Sequence, residues 1–201
     1  MNRLKRLLSG AKNVRRETSN RHKRLTLAVP ILMILTGLVF TFTVHAKSAE
    51  PFRFSLVATS ETCFPNASAT VSVFPKEEDR GVDTLDLKAE RLPPNTSFTV
   101  FLTELAEFPF GASEYIAEFT TNAAGRGSVR VDAVIQEAFA FDGNTRVRKD
   151  LNHVVVWFAD AQDDDVCFGP GGGPNTPFDG DGQAGATVLS SKNFLPNAPL
   201  P

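Results

Sequence analysis

Between Phe52 and Ala133 the side chains change face in steps of two, and this period limits the possible folds more than any other feature of the chain. Phe52, Phe54 and Leu56 interleave with Arg53, Ser55 and Val57, and Ala69, Val71 and Val73 with Thr70 and Ser72. Leu85, Leu87 and Ala89 interleave with Asp86, Lys88 and Glu90, and Phe98, Val100 and Leu102 with Thr99, Phe101 and Thr103. Tyr115, Ala117 and Phe119 follow the same rule, as do Val129, Val131 and Ala133. A strand turns successive side chains to opposite faces, so each run predicts a strand with one face buried and one face wet. His153 to Phe158 (HVVVWF) is almost wholly apolar and predicts a central strand, and Ala186 to Ser190 predicts a short last one. Turn-forming stretches separate the runs, among them Pro93-Pro94-Asn95 and Asn122 to Gly127, which reads as a hairpin loop. About eight short strands at this spacing predict an all-β antiparallel sandwich, Ig/fibronectin-like or jelly-roll-like, over residues 52–194. Only Val134 to Phe141 reads as helical, and it is short. Of the 17 phenylalanines 15 lie in this body, so its core is expected to be phenylalanine-rich.

The 51 residues before it are a different electrostatic object. Residues 1–24 carry nine Lys or Arg against Glu17 alone, whereas from Lys47 onward 12 basic residues face 22 acidic ones. Phosphate binding needs clustered cations that the body lacks, which argues against nucleic acid as a partner. Leu25 to Val44 holds 20 consecutive uncharged residues, about the number needed to cross a bilayer core. A basic flank stays on the cytoplasmic side, so residues 1–24 are expected inside and everything beyond His45 outside. Two readings of residues 25–46 stand. Run length and the long head favour an uncleaved transmembrane anchor, while Val44-His45-Ala46 fits the cleavage site of a signal peptide. The body is then either the extracellular part of a cell-membrane protein or secreted, with residues 47–51 as linker and 195–201 as a proline-rich tail.

The body holds two cysteines, Cys63 and Cys167. In an oxidising compartment an even count predicts a disulfide, and export supplies that compartment. Two cysteines and a distant histidine make no zinc cluster.

Leu92-Pro93-Pro94-Asn95-Thr96-Ser97-Phe98 resembles the L-x-P-x-T-x-Y corner of fibronectin type III domains, with Phe98 standing where the family's tyrosine donates its hydroxyl. The body as a whole is similar to exported β-sandwich proteins of bacteria, especially actinobacteria. That resemblance implies location and fold, and no activity.

The stretch from Asp160 to Gly185 carries the richest set of candidate ligands. Asp163, Asp165, Asp179 and Asp181 on a glycine-rich loop are the oxygen donors that calcium takes in loose geometry. The spacing fails the EF-hand rule, since the fifth and twelfth positions from Asp179 are Gln183 and Ser190. The alternative is a solvated acidic loop whose glycines serve turns. No cofactor other than calcium is implied. His153 is the body's sole histidine and reads as structural, which removes copper and zinc sites that need several histidines. No G-x-S-x-G elbow accompanies it, so no catalytic residue is assigned. Asn66-Ala67-Ser68 and Asn95-Thr96-Ser97 are glycosylation sequons only in a eukaryotic secretory pathway. The expectation is a noncatalytic binding or structural module of the cell envelope with a protein or glycan ligand. A calcium-binding extracellular module and a carboxylate-dependent hydrolase are the alternatives.

Overall fold

The computed structural model describes residues 50–76, 81–141, 145–174, 184–195 and 198–201. The hydrophobic run 25–44 lies outside them, and among the described residues no helix is long and apolar enough to cross a membrane. The strands are β1 (Phe52–Ala58), β2 (Ser68–Phe74), β3 (Asp83–Glu90), β4 (Ser97–Thr103), β5 (Ser113–Thr120), β6 (Gly127–Ala133), β7 (Phe139–Phe141), β8 (Arg148–Asp150), β9 (His153–Phe158) and β10 (Thr187–Ser190). A single helical turn, α1 (Asp165–Phe168), and a 3-10 turn over Lys192–Phe194 complete the elements. The fold is all-β and antiparallel, as the alternation predicts.

Eight strands form one sheet in the order β5-β4-β9-β10-β1-β2-β3-β6, and β7 and β8 make a separate two-stranded sheet. The terminal strands β5 and β6 come side by side, so the sheet curls almost shut into a barrel. Because all neighbours are antiparallel, β1, β3, β5 and β9 begin at one end, called here the entry end. The β1–β2, β3–β4, β5–β6 and β9–β10 connections all lie at the other, far end.

Across the eight-stranded sheet, register places the apolar set on the inside, except that a bulge in β5 between Ala117 and Tyr115 turns Tyr115 outward, opposite Phe101 and away from the face of Ala117 and Phe119. Phe54 faces Val71, Val71 faces Leu87 and Leu87 faces Val129 across four strands. Val156 faces Val100, which faces Ala117, on the opposite wall. A one-residue slip of any strand would turn its whole apolar set outward, which is why the register is firm. Phe98 is fully buried, with its ring centroid 5.5 Å from that of Phe119 and 5.2 Å from that of Phe158. Each such side chain contributes about 1.5–3 kcal/mol through burial. β9 lies between β4 and β10 and buries all six residues. Val154, Val156 and Phe158 belong to the main core. Val155 and Trp157 join a smaller one with Phe101, Phe110 and Ala184. An apolar layer on both faces explains why this strand does not alternate.

At the far end, Gly125 closes the β5–β6 hairpin with a positive φ of 66°, and a Cβ there would lie 2.1 Å from the Leu92 carbonyl oxygen. The fibronectin-like corner sits beside it. Phe98 has no hydroxyl to offer, and Thr121 fills the role from the neighbouring connection. Its hydroxyl donates to the Pro93 carbonyl and accepts the Thr96 N–H.

The stretch Val134 to Phe141 is not helical. Ile135 and Gln136 give their N–H groups to the Asp83 carboxylate, at 3.0 and 2.9 Å, and the chain then enters β7. Such a carboxylate would serve a helix start equally well; what the segment forms instead is β7, paired with β8 through Phe139–Asp150, Ala140–Lys149 and Phe141–Arg148. The proline-rich tail returns to the barrel as well. Leu200 is buried in the main core and its N–H bonds to the Asn152 carbonyl at 3.2 Å.

Candidate functional site

On the outer flank of the barrel a pocket of about 200 Å³ lies beside β10. The end of β1 supplies Thr59, Ser60 and Glu61, the β4–β5 connection supplies Glu107, Phe108 and Phe110, and Thr187 and Lys192 bracket β10. The backbone of one wall is fixed by the Thr59 N–H to the Val188 carbonyl at 3.0 Å and the Thr59 hydroxyl to the Thr187 carbonyl at 2.7 Å. The Thr187 hydroxyl donates to the Glu61 carboxylate, which sets that acid's direction across the pocket.

The opposite wall is a stapled loop. The Glu104 N–H reaches the Ala112 carbonyl at 2.8 Å and the Leu105 N–H reaches the Phe110 carbonyl at 2.9 Å. Lys149 holds the Glu104 carboxylate at 2.7 Å, and the Ser190 hydroxyl donates to the Ala106 carbonyl. Phe110 turns inward, 4.9 Å from the Trp157 ring. Phe108, two residues earlier and joined to Pro109 by a cis peptide, is 80% exposed. The inward ring anchors the loop on the outer core, and the outward ring stands unburied at the pocket's rim. Large apolar side chains at such exposure are informative when they border a cleft of polar groups. The lining offers two carboxylates, three hydroxyls, one ammonium and one open aromatic face.

The acidic stretch is organised differently. Asp163 lies before α1 and Asp165 begins it, while Asp179 and Asp181 lie outside the described residues. Asp160 accepts the Gln162 N–H at 2.8 Å and Asp165 accepts the Gly171 N–H at 2.8 Å, each shaping its own turn. Asp164 is fully buried. One of its oxygens accepts the Ala186 N–H at 2.8 Å, and the other accepts no hydrogen bond from the described residues. A Cβ on Gly173 would fall 2.0 Å from that second oxygen, so the carboxylate is wedged against glycine backbone. Burial raises the Asp164 pKa, opposed by the Ala186 N–H and assisted by Asp165. Burial, then Asp160 and Asp164, raise that of Asp163. Among the described residues no three histidine, cysteine or acidic groups converge as a metal site.

Cys63 and Cys167 form a disulfide with their Cα atoms 5.2 Å apart. It joins the β1–β2 connection to the base of the acidic loop at the far end. His153 is buried, with Nδ1 2.9 Å from the Ser191 hydroxyl, and burial lowers its pKa. Those contacts give it a role in packing the start of β9.

None of the pocket residues stands out in the sequence, because three distant segments bring them together. The one available signal is Phe108-Pro109-Phe110, an aromatic pair in a connection where turn residues are the rule. No protein-family model matches this chain, and no curated protein matches it, so this pocket has to be interpreted from its own chemistry.

Proposed function

We propose that residues 47–201 are the extracytoplasmic part of an exported protein and act as a noncatalytic binding module of the cell envelope. The proposed ligand is one sugar unit of a glycan, seated in the pocket beside β10. The observation that carries this reading is Phe108, an open aromatic ring on the rim of a cleft whose other groups are acceptors, hydroxyls and one cation. A sugar ring has hydroxyls at its edge and C–H groups on its face. The edge donates to Glu61 and Glu107 and accepts from Lys192, and the face lies against the ring of Phe108. The small volume suits a single ring. Export is supported by the basic head, the uncharged run of residues 25–44 and the disulfide, since disulfides persist in oxidising compartments.

Titration with a panel of envelope mono- and oligosaccharides, followed by amide chemical shifts, tests the ligand class. Residues 59–61 and 106–110 should move, and Phe108→Ala should weaken binding roughly tenfold or more. Its exposure leaves the melting temperature unchanged. If no saccharide shifts these amides, the ligand class is wrong. Release of a cleaved sugar would place the chain among the carboxylate-dependent hydrolases instead. Location has its own test. Protease added outside wall-stripped cells should degrade the body and spare residues 1–24, and a body reached only by cytoplasmic protease would overturn export.

A further inference from the structure

The β7–β8 sheet carries an outward face whose composition differs from the rest of the barrel. Register sets Phe139 opposite Asp150 and Phe141 opposite Arg148, so these four share one face. Phe139 is 43% and Phe141 62% exposed, and their rings meet edge to face at 5.4 Å. Val147, just before β8, is 53% exposed. The Arg148 guanidinium lies 4.3 Å from the centre of the Phe139 ring. Ala140 on the other face packs against the core, and the Leu151 N–H bonds to the Ala138 carbonyl at 2.9 Å. The sheet is therefore fixed from beneath while its aromatic face stays open. Arg148 also holds the Asp150 carboxylate at 2.7 Å on this face, while Lys149 turns to the other face and holds Glu104, so the exposed face is apolar with an ion pair at its edge.

The position of this face identifies what covers it. The chain leaves β6 at Ala133 and returns at His153, and both lie at the entry end, where β1 begins at Phe52. Seven residues, 45–51, separate Phe52 from the uncharged run ending at Val44. Seven residues reach at most about 25 Å. If that run enters a bilayer, the entry end stays within this distance of the headgroups. Exposed aromatic rings with arginine beside them are the side chains that settle at a membrane–water interface.

We infer that the β7–β8 sheet docks on the phospholipid surface, with Phe139, Phe141 and Val147 at the headgroup boundary and the Arg148–Asp150 pair at its polar edge. This rests on the export reading above, and its test is separate from the protease assay. The full chain is reconstituted into mixed phosphatidylcholine–phosphatidylglycerol vesicles with a fluorophore on Val147→Cys or, at the far end, on Ala123→Cys. Cys63 and Cys167 are bonded to each other and stay unlabelled. A quencher attached to lipid tails should strongly quench the probe at 147 and spare the one at 123. Adding Phe139→Ser and Phe141→Ser should release the probe at 147 from quenching, with the melting temperature unchanged because both rings are exposed. Equal quenching at the two positions, no quenching at 147, or persistence after the double substitution overturns the inference. A chain that fails the protease test but passes this one would keep its lipid-binding face and lose its assigned location.

Discussion

Replacing Cys167 by serine is expected to lower the unfolding free energy by about 2–5 kcal/mol, the usual cost of removing a native disulfide. The two cysteines are 104 positions apart, and closing a loop of that length removes about 4–5 kcal/mol of chain entropy from the unfolded state. The loss has a local part as well. The bridge ties the β1–β2 connection to the turn of α1, whose Cys167 packs against the main core. The Cys63 N–H also points at the Cys167 sulfur, at 3.1 Å. Calorimetry on oxidised wild type, reduced wild type and Cys167→Ser should give one high and two similar low melting temperatures. Thiol counting on the denatured, unreduced protein should find none. Two reactive thiols, or equal melting temperatures for the three forms, would refute the bridge or its energetic role.

The second large effect is expected at Asp83. Its carboxylate is nearly fully buried and takes four donors: the N–H groups of Lys76, Ile135 and Gln136 and the side-chain amide of Gln136. Asp83→Ala leaves three backbone donors without an acceptor. Each buried orphan costs about 1–3 kcal/mol, and water reaching the opened site offsets part of this, so a loss of about 3 kcal/mol is expected. For a domain of this size that is roughly 6–12 °C in Tm. The pH dependence gives a signature that a cavity would not. Burial alone raises the Asp83 pKa, but the hydrogen bonds of Gln136, Lys76 and Ile135 outweigh it and hold the pKa below the ordinary carboxylate value. A group with a lowered folded pKa adds stability that is complete above the unfolded value, about 4, and is lost as pH falls through the folded one. Wild type should therefore lose more stability than Asp83→Ala between about pH 4 and pH 2. Parallel curves would show that this carboxylate does not hold the turn.

Asp83 also marks where reading the sequence stops being enough. Strands of seven or eight half-buried residues are legible because the period repeats several times within each. Val134 to Phe141 has no such period; its first turn rests on an acid more than fifty positions earlier in the chain, and its strand on pairing with residues 148–150. β7 and β8 are three residues each, too short to show alternation at all. Phe98 in the fibronectin-like corner signals a missing hydroxyl, and nothing local signals that Thr121 supplies it. The disulfide is legible by counting, since the body's two cysteines allow one pairing. The pocket is not, because Glu61, Phe108, Thr187 and Lys192 become neighbours only when β1 pairs with β10 and the β4–β5 connection folds over them. The acidic residues 160–165 are legible as a group. Their division into turn-shaping carboxylates and one wedged, buried Asp164 depends on glycine backbone at Gly173 and Gly185.

The near closure of the sheet has a consequence for life at high density. A row of unpaired N–H and C=O groups along an open sheet margin invites another chain to add itself, the route to domain swapping and fibrils. In this barrel the two margins, β5 and β6, lie against each other, and the hairpin that joins them leaves little room for an incoming strand. At high local concentration a protein meets its own copies constantly. Its architecture shields the backbone at the seam where those encounters would otherwise recruit a neighbour.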